Sequence, residues 1–441
     1  MAVWWVLLAL GLAGCAAWGA ARLWRIVAIG AAYKARVLSM TIFGAGREVD
    51  PQRAPEVSAD SYWLLRPFRV RIDRAQQSVT ASLAGLRPRS VRFRSRPSDP
   101  RIGRPSAEWA AGPGSVALAR VVAAAFDEPD RARLRRTRAI VVVRDGRIIA
   151  ERYAAGFSNG SRFAGWSMTK SVLSALVGLL VADRRLSLRD QNLLPAWQPP
   201  DPRARITLED LLRMRSGLRF SEVYTDLSSD VVEMLFNQSD AAAYASSRPL
   251  SDPPGTVWSY SSGTSNILSA IARRVVGEED YPGWPYRSLF APIGMSSALL
   301  EPDTAGTFVG SSFMLATARD WARFGQLYLQ DGTWDGRRIL PPGWVQWCRT
   351  PTPQSAGMYG AHWWLRLQPE LGGATSAAAR LPEDAFFALG HEGQTLTIIP
   401  SLQLVVVRLG LSIYADAWNH AEFVANLIEA VRDTRSVESE V

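Results

Sequence analysis

Ser167-Met168-Thr169-Lys170 is the stretch of this chain whose residue types and spacing could do covalent chemistry. On a helix, positions i and i+3 share a face, so the serine hydroxyl and the lysine amine can approach each other. A serine hydroxyl needs a nearby base to become a nucleophile, and a desolvated neutral lysine can provide one. Lysine is scarce here: Lys34 and Lys170 stand alone among 50 basic residues, and all the others are arginine. Guanidinium cannot lose its proton in a protein, whereas a buried amine can be pushed towards neutrality. Taken alone S-x-x-K is a weak signal, and a serine helix cap followed by a surface lysine is the plainer alternative. The next element weighs against it. Val172 to Ala182 is apolar on nearly every face, so its helix should be deeply buried. The N-terminus of that helix puts free N–H groups and a positive partial charge beside the hydroxyl, which suits an oxyanion.

Two further motifs follow in the chain. Pro254 to Asn266 contains Tyr260 and Ser262 among turn residues, and Gly390-His391-Glu392-Gly393-Gln394 closes a strand-like run. A phenol can shuttle protons when an adjacent ammonium lowers its pKa, which is the role Tyr260 could play. With Leu211 to Gly217 and Ala316 to Gly325, these motifs in this order resemble the serine β-lactamase and penicillin-binding-protein superfamily, in its class C and esterase-like branch. The resemblance runs from about residue 110 to 435. It implies Ser167 as nucleophile, Lys170 as its hydrogen-bond partner and base, and Tyr260 as proton relay to the leaving group. It also implies an oxyanion hole from the backbone N–H groups of Ser167 and Gln394, with Gly393, His391 and Ser262 lining the substrate site.

Two positions depart from the family pattern. The second motif ends in Ser262 where asparagine is usual. The third carries His391-Glu392-Gly393 where a lysine or arginine precedes Thr-Gly. That cation normally meets a substrate carboxylate, so its loss weakens the case for β-lactam or peptidoglycan substrates. The histidine form is similar to that of esterase and amide-oligomer hydrolase relatives, including 6-aminohexanoate-dimer hydrolases. His362 and His420 read as packing or capping residues. The three scattered histidines give no metal-ligand cluster, and neither metal nor cofactor is expected. No deacylation glutamate can be assigned.

These residues need elements to hold them. Val116 to Phe126 has helical periodicity, and two apolar runs flank Asp145-Gly146, a hairpin signal. Strand-like runs return at 359–367, 386–389, 396–399 and 404–409, and Phe423, Val424, Leu427, Ile428 and Val431 mark one face of a terminal helix. Strands at both ends with helices between give an α+β layout in which the two ends share one sheet. The expected fold is β-lactamase/transpeptidase-like, an antiparallel sheet flanked by helices with an inserted mainly helical region. The expected division is a membrane or signal-anchor helix at 1–21, a linker and N-terminal extension at 22–110, the hydrolase domain at 111–435 and a tail at 436–441.

Residues 1–21 carry no charged side chain, enough length to cross a bilayer core as a helix. Leu12-Ala13-Gly14-Cys15 also looks like a lipoprotein signal, but no basic residue precedes the apolar run. The anchor is preferred. Arg22, Arg25, Lys34 and Arg36 after it favour a cytoplasmic C-terminal side, whereas the family resemblance favours an inner-membrane anchor with the catalytic part in the periplasm. The net charge of +9 comes from scattered arginine, without zinc-finger spacing or a basic stripe, so no nucleic-acid partner is expected. The expected activity is hydrolysis of a small-molecule ester or amide through an acyl-serine. Two alternatives stand beside it: a Ser-His-Asp hydrolase using His391, which lacks a G-x-S-x-G elbow, and a catalytically silent membrane-tethered scaffold.

Overall fold

The computed structural model describes residues 2–94 and 108–438 and divides into two compact units. The first comprises Met1–Arg94 with Ser221–Ser239, the second Ser95–Phe220 with Asp240–Val441. In the first unit a single helix, α1 (Ala2–Ser39), runs well past the charge-free segment. Its residues 14–26 are exposed, and from Val27 onward it is mostly buried. The buried half packs on a three-stranded antiparallel meander, β1 (Phe68–Asp73), β2 (Ser78–Leu83) and β3 (Leu86–Arg92). Lys34 lies inside this unit, donating to Gln52 Oε1, Leu65 O and Phe68 O at 2.8–3.1 Å. A short helix, Asp230–Phe236, belongs to the same unit.

These units and the expected division differ in two places. Within the stretch expected as a linker and N-terminal extension, 22–44 prolong the helix and 68–92 form a sheet. β1 and β2 alternate over short runs, with Phe68, Val70 and Ile72 on one face of β1 and the exposed Arg69 and Arg71 on the other. The stretch 111–435 is likewise not one continuous domain, since 221–239 leave it. The expected tail falls partly on residues 439–441, outside the described residues, while 436–438 still belong to the terminal helix.

In the second unit α2 (Val116–Ala124) starts at Ser115, whose side chain accepts from Leu118 N–H. β4 (Thr137–Arg144) and β5 (Arg147–Tyr153) form a hairpin whose Asp145 and Gly146 both have positive φ, as a two-residue I′ turn requires. Then come β6 (Arg162–Ala164), α3 (Thr169–Ala182), α4 (Ser262–Val276), β7 (Leu299–Leu300), β8 (Met314–Thr317) and α5 (Ala318–Leu329). The chain closes with β9 (Phe386–Gly390), β10 (Gln394–Ile399), β11 (Leu404–Gly410) and α6 (His420–Glu438). The main sheet is antiparallel in the order β9-β10-β11-β4-β5, so the two ends of the unit share it as expected. Residues 359–367 form no strand and contribute only isolated bridges, Tyr359 with Trp364 and Trp364 with Phe387.

Helices cover both faces of this sheet, which is why β4, β10 and β11 are buried along nearly their whole length and β4 and β11 carry long apolar runs. On one face Leu118 and Val122 of α2 and Val424, Leu427, Ile428 and Val431 of α6 pack with Ile140, Val142, Leu404 and Val406. On the other lies α5, where Gly325 allows the helix against Val405 and Leu396. His420 opens α6 fully buried. Trp418 Nε1–H donates to its Nδ1 at 3.2 Å, so Nε2 carries the proton and faces Thr397 Oγ1 at 2.7 Å. Burial pushes this imidazole down to about 3. Leu427→Ala should lower unfolding stability by about 2–5 kcal/mol through the cavity it leaves, with activity per folded molecule unchanged. Urea titration and active-site titration of the same sample check both halves.

Candidate active site

Ser167 sits in a tight turn, Trp166–Met168, that leads directly into α3. Trp166 has a positive φ of 48°, and the turn is tied by Met168 N–H to Gly165 O (3.1 Å) and Thr169 Oγ1–H to Trp166 O (2.6 Å). This geometry puts the serine at the helix mouth, partly exposed, with Lys170 in the first helical turn behind it. Lys170 is 1% exposed. Its Nζ lies 3.0 Å from each of three oxygens: Ser167 Oγ, Ser262 Oγ and the Ser311 carbonyl.

Those oxygens come from three separate segments. Ser262 opens α4, which is capped by Ser261 accepting from Thr264 N–H at 3.1 Å. Ser311 precedes β8 and is gripped by Asn266 one turn further along α4. Asn266 Nδ2 donates to Ser311 Oγ (3.1 Å) and its Oδ1 accepts from Ser311 N–H (3.3 Å). Tyr260 is placed just before α4, and its ring centre lies 4.8 Å from Lys170 Nζ. Tyr359 meets that ring edge-on at 5.8 Å and Trp364 lies at 5.3 Å, so an aromatic wall sets its orientation.

The third motif meets the nucleophile turn from the end of β9. Gly390 packs so closely on the Gly165 carbonyl that a Cβ there would collide with it, and no other residue fits without displacing the strand. Beyond it the chain turns through His391 and Glu392, the latter at φ 62°. Trp166 Nε1–H donates to the buried Glu392 carboxylate at 3.1 Å, and the Trp166 and His391 rings meet edge-to-face at 5.5 Å. Gln394 starts β10, and its side-chain amide exchanges two 2.9 Å hydrogen bonds with the backbone of Gly410. Gly393 O accepts from the buried Arg408 guanidinium at 2.8 Å, which also donates to Arg135 O (2.7 Å), Thr137 Oγ1 (3.0 Å) and Ser412 Oγ (2.9 Å).

Ser167, Lys170, Ser262 and Tyr260 are thus brought together, and His391, Gly393 and Gln394 form the adjoining turn. Sequence reasoning missed Ser311, Asn266, Trp166, Arg408 and the part played by His362. Ser311 touches Lys170 through its backbone, which leaves no side-chain signal to read. His362 is fully buried with φ 61°, its Nδ1 2.7 Å from Leu212 O and its Nε2 2.9 Å from Ser265 Oγ on α4. Its own carbonyl accepts from Ser171 Oγ–H on α3 at 2.7 Å. It therefore staples together the two helices that carry Lys170 and Ser262. Burial pushes it down to about 3, so it is neutral near neutral pH.

With this geometry in view, the family profile described as Beta-lactamase matches residues 122–412. The chain belongs to the beta-lactamase family. It is 26% identical over 304 residues to a 6-aminohexanoate-dimer hydrolase of Paenarthrobacter ureafaciens, covering 62% of this chain and 72% of that one. Among solved structures, a protein of Bacillus anthracis assigned as a 6-aminohexanoate-dimer hydrolase superposes with a TM-score of 0.59 at 20% identity. That match covers 79% of this chain and 92% of the other. A family VIII carboxylesterase superposes with a TM-score of 0.55 at 16% identity, over 74% of this chain and 99% of the other. At such identities the two structures bear on the fold alone. The superfamily and branch expected from the motifs are those found, and the relatives are hydrolases by name.

Two expectations follow. Gly390→Ala should reduce kcat/KM by about 100-fold with the fold retained, because the added methyl forces the third-motif turn away from Ser167. Steady-state kinetics with circular dichroism checks it. The two buried histidines make stability fall on acidification. Their folded pKa values of about 3 lie below the ordinary value near 6.5, so below pH 6.5 the unfolded chain binds protons that the folded one refuses. Denaturation at pH 6.5 and 5.0 should differ by about 3 kcal/mol for the pair, and His420→Asn should roughly halve that difference.

Proposed function

We propose that this protein cleaves an ester or amide bond through an acyl-enzyme on Ser167. The observation that carries the reading is Lys170 Nζ at 3.0 Å from both Ser167 Oγ and Ser262 Oγ inside a buried site. A neutral amine has two hydrogens and one lone pair. With the hydrogens directed to Ser311 O and Ser262 Oγ, the lone pair faces the Ser167 hydroxyl and accepts its proton. The Ser167 oxygen then attacks the substrate carbonyl. The backbone N–H groups of Ser167 and Gln394 take up the developing oxyanion, worth about 3 kcal/mol per donor in comparable acyl-transfer sites. Lys170 passes the proton taken from Ser167 to Tyr260 beside it, whose own proton goes to the leaving alcohol or amine, and water afterwards releases the acyl group.

His391 and Gly393 line the acyl side, and Ser262 takes the position of the usual asparagine. Without a permanent cation in the third motif, neutral esters and amides suit the site better than substrates carrying a carboxylate or β-lactams. The named activity of the Paenarthrobacter relative makes short linear amides one substrate class to test. We further propose that α1 tethers the protein to the inner membrane with the catalytic unit in the periplasm. Among the described residues one helix, near the N-terminus, is long and apolar enough to cross a bilayer, a property an anchor shares with a signal sequence or a buried core helix.

The test is labelling by a fluorophosphonate together with turnover of a short-chain chromogenic ester and a short linear amide. Wild type should be labelled at Ser167 and turn over at least one substrate. Ser167→Ala and Lys170→Met should each lose at least about 1,000-fold in kcat, with Tyr260→Phe losing less. A Lys170→Met protein that keeps turnover would replace this reading with a histidine base. No labelling and no turnover across esters, amides and lactams would favour a silent scaffold.

A further inference from the structure

Within the N-terminal unit the exposed and buried parts of α1 meet abruptly between Ile26 and Val27. Two loops distant in sequence touch the helix just above that boundary. The β2–β3 turn reaches it through Arg87, whose guanidinium lies 5.2 Å from the centre of the Trp24 ring. The loop before the Asp230–Phe236 helix reaches it through Arg25, which donates to Ser228 O at 3.5 Å and pairs with Glu233 at 2.9 Å. Each loop exposes an apolar side chain at this level, Leu86 at 50% and Leu227 at 41%, beside the exposed Leu23, Trp24 and Ile26. Arg22 adds a second cation–ring contact, 5.4 Å from the Trp18 ring centre. The rim therefore combines apolar side chains from three segments with arginines lying on tryptophan faces.

We propose that this rim lies in the headgroup layer of a phospholipid bilayer, with Leu86 and Leu227 dipping into the interface and Arg22 and Arg87 at the phosphates. The proposal rests on the reading of α1 as a membrane anchor and adds to it a second, protein-built contact. Three observations favour a bilayer as the occupant. The helical stretch from Ala2 to Ile26 spans about 37 Å at 1.5 Å per residue, which is the hydrocarbon core plus one interface. The rim surrounds the last part of that stretch, Arg22–Ile26, so an anchored helix delivers it to the headgroups. Tryptophan and arginine paired in this way belong to that layer, where the ring is half wet and the guanidinium meets phosphate. The carboxylates at the rim are already engaged: Glu233 pairs with Arg25, and Asp226 accepts from Ser228 N–H and Oγ–H. Trp63 and Leu64 are also exposed but lie outside the rim. They adjoin Leu65, whose carbonyl binds Lys34 eight residues beyond Ile26, about 12 Å farther along the helix.

A rim seated this way would fix the angle at which the helix leaves the membrane, so the N-terminal unit would lie on the surface rather than swing from a point. The test uses the full-length protein in phosphatidylcholine nanodiscs. Cys348 is buried and Cys15 exposed, so a Cys15→Ser background accepts a single environment-sensitive label at Leu86→Cys, Leu227→Cys or Gln76→Cys. Gln76 lies in the β1–β2 turn, at the other end of the strands from Leu86. Headgroup spin-labelled lipid should quench the labels at 86 and 227 by about two-fold or more and shield them from aqueous iodide, leaving 76 unaffected. Labels at 86 and 227 open to iodide, while a label on native Cys15 is protected by the bilayer, would overturn the rim and leave the anchor standing. A Cys15 label equally open to iodide would remove the anchor, and the rim with it.

Discussion

A single nitrogen organises the catalytic unit. Lys170 Nζ is held equidistant from oxygens of α3, α4 and the segment before β8, and each of those segments must be fixed for the point to exist. His362 joins the two helices, Asn266 grips Ser311, and the Gly165–Gly390 approach brings the third motif against the same turn. A buried amine is costly unless its contacts are met. Here the contacts that satisfy it are also the ones that aim it at Ser167. Stability and reactivity in this site therefore rest on the same hydrogen bonds.

The third motif shows how a family position can change without losing its place. His391 lies edge-on to Trp166, and the neighbouring Glu392 carboxylate is taken by the Trp166 indole. The permanent cation has not vanished from the region. Arg408 lies beneath the turn, fully buried, spending its donors on carbonyl and hydroxyl oxygens that include Gly393 O. It supports the turn from behind and does not line the substrate side as a motif lysine would. This arrangement is consistent with a site shaped for neutral acyl groups.

The parts of this protein readable from residues alone were those governed by short spacing. Ser167 and Lys170 share a face because they are three apart on a helix, and Asp145-Gly146 folds as the hairpin turn its φ preferences demand. The scarcity of lysine singled out Lys34 as well as Lys170, and both proved fully buried. In each, a compact amino group meets three oxygens from different directions, a geometry a planar guanidinium cannot reproduce. Scarcity thus marks a geometry, and hydroxyl neighbours are what set the surroundings of Lys170 apart from those of Lys34. Contacts made by backbone atoms stayed invisible, as at Ser311, and so did staples such as His362 that bind through loop conformation. The β1–β3 sheet was obscured by the Pro, Arg, Ser and Gly that surround its short alternating runs.

Because the chain holds two lysines, lysine-selective 13C labelling gives two ε-carbon signals, and Lys34→Met assigns them. The most direct measurement follows the Lys170 signal across a pH series alongside the rate at which a fluorophosphonate modifies Ser167 in the same samples. If Lys170 is the base, loss of its proton and the rise in Ser167 reactivity trace one curve. A serine whose reactivity climbs while the Lys170 ammonium signal stays unchanged would contradict it.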